Sequence, residues 1–194
     1  IEGVHNRYPD PHHRELKARL ADLKGVAAKQ IFLGNGSDEA IDLLYRAFCE
    51  PRRDHVILCP PTYGMYQVSA QLNQVKTVPV PLTDDFRLNL SELMLALKPG
   101  SKLLFLCSPN NPTGNSLDPH AIRKVLEKAP GLVVVDEAYI DFAPEKTLLP
   151  WLEQFPNLVV LQTFSKAWGL ARLRLGAAYA HPEVIAVLDR IKPP

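Results

Sequence analysis

The sequence lacks the features of a membrane protein, a secreted protein or a nucleic-acid-binding protein. None of its apolar runs approaches the roughly 20 residues of a transmembrane helix, and its first residues show no signal-peptide pattern. The net charge is only +1, which gives no electrostatic basis for binding nucleic acid or an anionic membrane. The three cysteines do not indicate a disulfide framework, because their count is odd and each lies in or beside an apolar segment, so we expect buried thiols and a cytoplasmic location. We expect no metal site. A starting Met is also missing, and we expect an incompletely represented chain.

Seven apolar segments have the length of β-strands. Several are apolar almost throughout, as Val133, Val134 and Val135 show, and such strands are typical of a parallel sheet covered on both faces. The predicted strands are residues 30–33, 55–59, 75–80, 102–107, 132–135, 158–162 and 176–180.

Segments with helical periodicity alternate with these strands. Leu16, Leu20 and Leu23 share a face of the first predicted helix. Further helices are predicted around residues 41–48, 90–97, 122–126 and 184–191. The alternation predicts an α/β domain over residues 1–194 with a mostly parallel, seven-stranded sheet between helices.

Polar and aromatic residues follow five of the predicted strands. In a parallel α/β sheet, ligands bind beyond the carboxyl ends of the strands, so these segments are candidate site residues. They are residues 34–39, 60–63, 108–114, 136–139 and 163–166.

Two nucleotide-binding interpretations fail. The acidic strand end at Asp136 and Glu137 is typical of P-loop ATPases, but the motif Gly-x-x-x-x-Gly-Lys-[Ser/Thr] is absent. Gly34 and Gly36 begin like a dinucleotide-binding fingerprint, but Glu39 stands where the third glycine is needed. The two glycines still allow a tight turn into a helix whose first N–H groups could bind an anion, although an ordinary turn has the same composition.

Lys166 and Asp136 are the strongest catalytic candidates. Lys166 comes directly after a strand, where a desolvated and therefore uncharged amine could attack an aldehyde, although most lysines simply lie on the surface. Asp136 ends a buried strand and requires a cationic partner there, unless it only caps a helix. Tyr139 follows three residues later, so one helical turn would direct it to the same place. Arg174 suits a phosphate contact, and Arg172 competes with it on chemistry alone.

These motifs resemble those of fold-type-I pyridoxal 5′-phosphate (PLP) enzymes of the aminotransferase class. The lysine motif is residues 165–176, and Asn-Pro-Thr-Gly at 111–114 and Val-Asp-Glu-Ala-Tyr at 135–139 supply two more, in matching order and separation. Residues 6–11, 36–41, 59–66 and 136–142 are similar to the histidinol-phosphate aminotransferase family in particular. The likeness extends from Asn6 to Pro194.

The resemblance implies a function and a set of roles. The function is amino transfer between glutamate/2-oxoglutarate and histidinol phosphate/imidazole acetol phosphate in histidine biosynthesis, with PLP as cofactor. Lys166 would carry the cofactor and shuttle the proton, while Asp136 would pair with the pyridinium nitrogen. The remaining residues with implied contacts to the cofactor are Tyr139 and Asn111 at the phenolic oxygen, Tyr63 on the ring face, Ser37, Asp38, Thr163, Ser165 and Arg174 at the phosphate, and Tyr8 at the phosphate of the neighbouring subunit of a homodimer.

The sequence departs from this family in two respects. Arg172 stands where relatives carry glycine, which adds a bulky cation beside Arg174. The N-terminal arm and the C-terminal small domain, which contributes to substrate selection, are not represented in residues 1–194. A threonine-phosphate decarboxylase, an aromatic aminotransferase and a non-catalytic PLP-binding module therefore remain alternatives, although the DNA-binding segment of a regulator is not found.

Overall fold

The computed structural model describes residues 10–193, which form an α/β unit around one sheet. All seven predicted strands are confirmed, with ends displaced by at most two residues. The strands are β1 (Ile31–Asn35), β2 (His55–Leu58), β3 (Lys76–Pro79), β4 (Ser101–Cys107), β5 (Leu132–Asp136), β6 (Leu158–Thr163) and β7 (Leu175–Ala180).

Within residues 10–193, six α-helices flank the sheet, one more than the sequence predicted. They are α1 (Arg14–Lys24), α2 (Ser37–Phe48), α3 (Met65–Leu72), α4 (Leu90–Ala96), α5 (Pro119–Lys128) and α6 (Pro182–Ile191). The helix that periodicity missed is α3, which buries Tyr66, Ser69 and Ala70 and leaves Val68 and Leu72 exposed. Within residues 10–193, no helix has the length and apolar character needed to cross a bilayer.

The strand order across the sheet is β1-β7-β6-β5-β4-β2-β3. β7 runs antiparallel to both of its neighbours, and every other pairing is parallel. The predicted mostly parallel sheet is therefore confirmed. β4, β5 and β6 are adjacent and parallel, so their carboxyl ends meet at one edge.

The sheet separates two hydrophobic cores because side chains alternate between the faces of a strand. Helices α1, α4 and α5 pack on the face that carries Val133 and Val135. Helices α2, α3 and α6 pack on the opposite face, which carries Val134. Asp136 follows this alternation onto the α2/α3/α6 face, and Glu137 follows it onto the other.

Candidate active site

Three neighbouring strands place their last side chains on the same face of the sheet. Cys107 at the end of β4 is paired in register with Asp136 at the end of β5. Thr163 ends β6, two residues after Leu161, which is the register partner of Asp136. Leu161 packs in the core on the α2/α3/α6 side, so Thr163 lies on that face too. The floor of a site is thereby formed beneath the N-terminus of α2.

A cavity of about 210 Å³ opens above this floor. The structure brings ten of the eleven predicted site residues to its lining, and the eleventh, Tyr8, lies outside the described residues. The ten are Ser37, Asp38, Tyr63, Asn111, Asp136, Tyr139, Thr163, Ser165, Lys166 and Arg174. Gly36 and Ala138, which belong to the predicted segments 34–39 and 136–139, also line the cavity. Cys107 lines it too and was not predicted, although the alternation along β4 indicates its face.

One end of the cavity is built to receive an anion. The first N–H groups of α2, at Ser37 and Asp38, have no partner within the helix and carry the positive end of its dipole. Arg174 reaches the same turn, since a Cβ at Gly36 would lie 2.8 Å from its Nη2 atom. Ser165 Oγ is buried there without a hydrogen-bond partner among residues 10–193. Donors from three segments therefore line the same cavity.

Close backbone packing holds this anion end together. Gly36 adopts a φ of 79°, and its N–H donates to the carbonyl of Arg174 at 2.7 Å. A Cβ at Gly176 would lie only 2.2 Å from the Gly36 carbon and the Ser37 nitrogen. The first turn of α2 can approach β7 only because position 176 has no side chain.

The structure distinguishes Arg174 from Arg172, the two candidates for a phosphate contact. Arg174 lines the cavity, whereas Arg172 lies in the short 3₁₀ helix Ala171–Leu173, is exposed and is not among the lining residues. Arg174 adopts a left-handed φ of 51°, which turns the chain into β7. Its guanidinium is thereby directed to α2.

Asp136 lies at the other end of the cavity and is almost completely buried, with 3% of its surface exposed. It accepts one hydrogen bond from Tyr66 Oη at 2.7 Å and one from the Ala138 N–H at 3.0 Å. Burial raises the pKa of Asp136 to about 6, and these two hydrogen bonds oppose that rise. The sequence had left open a helix-capping role for Asp136, but within residues 10–193 no α-helix begins directly after it.

The segment after β5 is a turn leading to the 3₁₀ helix Ile140–Phe142. The prediction that one helical turn would align Tyr139 with Asp136 was therefore wrong in its geometry. Tyr139 nevertheless lines the same cavity, because the turn redirects the chain along the sheet edge.

Lys166 lies at the cavity mouth, and its Nζ atom is 5.6 Å from the centroid of the Tyr139 ring. The sequence predicted a buried lysine here, but the residue is exposed in the described chain. The reason is that residues 165–174 form a surface loop, whereas Phe164, just before this loop, is inserted into the core.

Tyr63 forms one side of the cavity. Its hydroxyl donates to Asp38 Oδ1 at 3.2 Å, and its ring meets the Tyr66 ring edge-on at 5.5 Å. Burial together with the nearby Asp38 carboxylate raises the pKa of Tyr63 to about 12, so its hydroxyl keeps its proton. Burial likewise raises the pKa of Cys107 to about 12, which makes this thiol a poor nucleophile.

Glu137 is also buried but lies on the opposite face of the sheet. Its carboxylate accepts hydrogen bonds from Thr147 Oγ1, the Leu148 N–H and Gln162 Nε2 at 2.7 to 2.9 Å. Burial raises the pKa of Glu137 to about 7. Thr147 and Leu148 belong to the connection between β5 and β6, and Gln162 belongs to β6. Glu137 therefore attaches that connection to the sheet.

No cluster of three or more His, Cys, Asp or Glu side chains suited to a metal ion occurs in the described part of the chain. The polar groups of the cavity instead suit an organic anion. An arginine and helix N–H groups lie at one end, a buried carboxylate lies at the other, and a lysine amine lies at the mouth near the Tyr139 ring.

Comparison with known proteins identifies the class. The family profile described as aminotransferase class I and II matches residues 2–194. The chain belongs to this family.

Individual relatives are more specific. The chain is 55% identical over 194 residues to a histidinol-phosphate aminotransferase of Cytophaga hutchinsonii, covering all of this chain and 56% of that protein. It is 55% identical over 190 residues to the enzyme of the same name from Bacteroides fragilis, covering 98% of this chain and 55% of that protein. The chain spans about half the length of these relatives.

A solved structure shows the same fold. The histidinol-phosphate aminotransferase of Sinorhizobium meliloti, crystallised in complex with pyridoxal 5′-phosphate, superposes with a TM-score of 0.88 and is 30% identical. The match covers 96% of this chain and 52% of that one. The expected large-domain fold of PLP-dependent aminotransferases is thus confirmed.

Proposed function

We propose that the protein carrying this chain is a PLP-dependent histidinol-phosphate aminotransferase, which transfers an amino group between glutamate/2-oxoglutarate and histidinol phosphate/imidazole acetol phosphate in histidine biosynthesis. The convergence of ten predicted residues on one cavity carries the proposal. The identity of 55% to relatives of that name supports the choice of substrate.

The cavity fits the proposed cofactor at each of its polar positions. The α2 N–H groups of Ser37 and Asp38, together with Thr163, the unpartnered Ser165 Oγ and Arg174, would hold the phosphate. Asp136 would pair with the protonated ring nitrogen. Tyr139 and Asn111 would hold the phenolic oxygen, and Tyr63 would cover a ring face. When bound, PLP supplies an electron sink for the substrate carbanion.

Side chains of the protein would then carry out the proton transfer. Lys166 Nζ would carry the cofactor covalently and later move the proton at the substrate Cα. Asp136 must be ionised to stabilise positive charge on the ring nitrogen, and its burial strengthens that interaction. Burial raises the pKa of both Cys107 and Tyr63, so these two lining residues would keep their protons and are poor nucleophiles.

The proposal extends to domain organisation and assembly. Residues 1–194 would be the PLP-binding large domain, with an N-terminal arm and a C-terminal small domain outside them. We also propose a homodimer in which Tyr8 reaches the phosphate of the neighbouring subunit. Mixing Tyr8→Phe and Lys166→Ala subunits tests this, since one site of each heterodimer would be native. Unrecovered activity from two inactive parents would contradict sharing.

The cytoplasm is the proposed location, supported by the buried free thiols of Cys49, Cys59 and Cys107.

Two measurements test the enzymatic proposal. Borohydride reduction of the full-length protein with PLP, followed by peptide mapping, should place the pyridoxyl group on Lys166. A label on Lys102 or Lys192 would contradict the assignment. Turnover with histidinol phosphate, phenylalanine and threonine phosphate should then favour histidinol phosphate. Preference for another substrate, or release of CO₂ from threonine phosphate, would replace the proposed activity while keeping the cofactor.

A further inference from the structure

Tyr66 makes a buried contact to the carboxylate at the end of the cavity. It lies in α3, 70 residues before Asp136, and its Oη donates to Asp136 Oδ2 at 2.7 Å. The tyrosine is fully buried and does not line the cavity itself. Its hydroxyl therefore touches the carboxylate from behind, leaving the cavity side of Asp136 open.

A stack of aromatic rings fixes the position of that hydroxyl. The Tyr66 ring stacks on Phe105 with centroids 4.8 Å apart, and Tyr45 stacks on Phe105 at 5.4 Å. Tyr45 Oη also donates to the Tyr66 carbonyl at 2.8 Å. The Tyr63 ring lies perpendicular to the Tyr66 ring on the cavity side. With ring contacts on several sides, Tyr66 has little rotational freedom.

The direction of the hydrogen bond determines its chemical effect. Burial favours the neutral acid at Asp136, whereas a hydroxyl that donates to the carboxylate favours the ionised form. Asp38 opposes ionisation through like charge, and Lys166 supports it. Tyr63 and Cys107 also face Asp136 and keep their protons, and Tyr139 and Arg174 line the same cavity. Only the ionised carboxylate could pair with a protonated ring nitrogen.

We propose that Tyr66 is a positioning residue of the active site, whose hydroxyl aims the Asp136 carboxylate at the cofactor and keeps it ionised. This inference rests on the proposed function for the identity of the cofactor. The contact to Asp136 itself is independent of it.

Two matched variants of the full-length protein isolate this role. Tyr66→Phe removes the hydroxyl and retains the ring. Tyr45→Phe removes a hydroxyl from the same buried stack but leaves the Asp136 contact intact. Circular dichroism verifies that each variant is folded. Without PLP, Asp136 is titrated through the infrared carbonyl band of its protonated form, assigned by the loss of that band in Asp136→Asn.

The titration midpoint of Asp136 should rise by about 1 to 2 pH units in Tyr66→Phe, the equivalent of one hydrogen bond to a charged group. It should stay within about 0.3 pH units of the native value in Tyr45→Phe, a small fraction of such a bond. With PLP added, the dissociation constant should rise roughly tenfold in Tyr66→Phe only, and more at pH 6 than at pH 8.

An unchanged midpoint in Tyr66→Phe would overturn the inference, and so would an equal shift in both variants, which would show a merely structural effect. Native protein that binds no PLP would overturn the proposed function and with it the role toward the cofactor. Native protein that binds PLP on Lys166, with Tyr66→Phe behaving identically, would overturn only the role of Tyr66.

Discussion

Replacing Asp136 with Asn should stabilise the protein without cofactor while impairing its activity. The carboxylate is buried, and its pKa rises from 3.8 to about 6 on folding. A difference of two pH units corresponds to about 3 kcal/mol. Folding therefore opposes ionisation of this group by about that amount, and Asn removes the ionisable group while keeping the size of the side chain.

The size of this stabilisation depends on pH. Below about pH 4, Asp136 is protonated in both the folded and the unfolded protein, so its burial carries no ionisation penalty. Because the folded pKa is raised, the penalty develops as the pH increases from about 4 to about 6 and is complete above that range. The stabilisation by Asp136→Asn should grow over the same window and then level off at about 1 to 3 kcal/mol, since Asn binds Tyr66 less strongly.

Urea unfolding of the cofactor-free proteins at pH 4, 5, 6, 7 and 8 measures this difference. Glu137 titrates in both proteins, so its contribution cancels to first order. In the presence of PLP, Asp136→Asn should be the poorer protein. Its turnover should fall by two or more orders of magnitude below the native value, which is about 3 kcal/mol of lost transition-state stabilisation. A stability difference independent of pH would refute the reasoning from burial. Near-native turnover would show that Asp136 has no role at the cofactor.

Three further substitutions test the supporting structure. Gly176→Ala should destabilise the protein by about 1 to 3 kcal/mol in thermal unfolding, because its Cβ meets backbone atoms, whereas Gly64→Ala has open space and should change little. Glu137→Ala should cost about 3 kcal/mol or more in urea unfolding, since three buried donors lose their acceptor. Arg174→Ala should weaken PLP binding about tenfold or more in a fluorescence titration, and Arg172→Ala should not. Equal effects of the two arginine variants would contradict the assignment of the anion end.

The sequence predicted the strands because their residues are buried on both faces. A continuous apolar run of strand length, such as the one that contains Val133 to Val135, is typical of a strand that helices cover on both sides. The strand-end rule then located most of the cavity, since parallel strands end at one edge of the sheet. Alternation within β4 and β5 also indicates that Cys107 and Asp136 share a face.

Helix α3 and its contact to Asp136 were beyond the reach of pattern reasoning. The buried face of α3 consists of Tyr66, Ser69 and Ala70, while the apolar Val68 and Leu72 point outward, so hydrophobic periodicity marks the wrong side. The Tyr66 hydroxyl meets a residue far away in sequence, and no local spacing encodes that contact. The exposure of Lys166 was missed because strand-end position alone does not determine how deep a loop side chain lies.

Two consecutive buried carboxylates, Asp136 and Glu137, make different contacts because they lie on opposite faces of the sheet. Glu137 accepts three hydrogen bonds on the α1/α4/α5 face, all from the surrounding protein. Asp136 lies on the other face, accepts only two from the described residues, and borders the cavity. A carboxylate has about four acceptor sites, so Asp136 retains capacity toward the cavity. A buried charge left partly unsatisfied destabilises the fold, and a cationic ring nitrogen placed in that cavity would remove this cost. The pleat of β5 thus directs Glu137 into contacts with the surrounding protein and leaves Asp136 facing the cavity, where the proposed cofactor would bind.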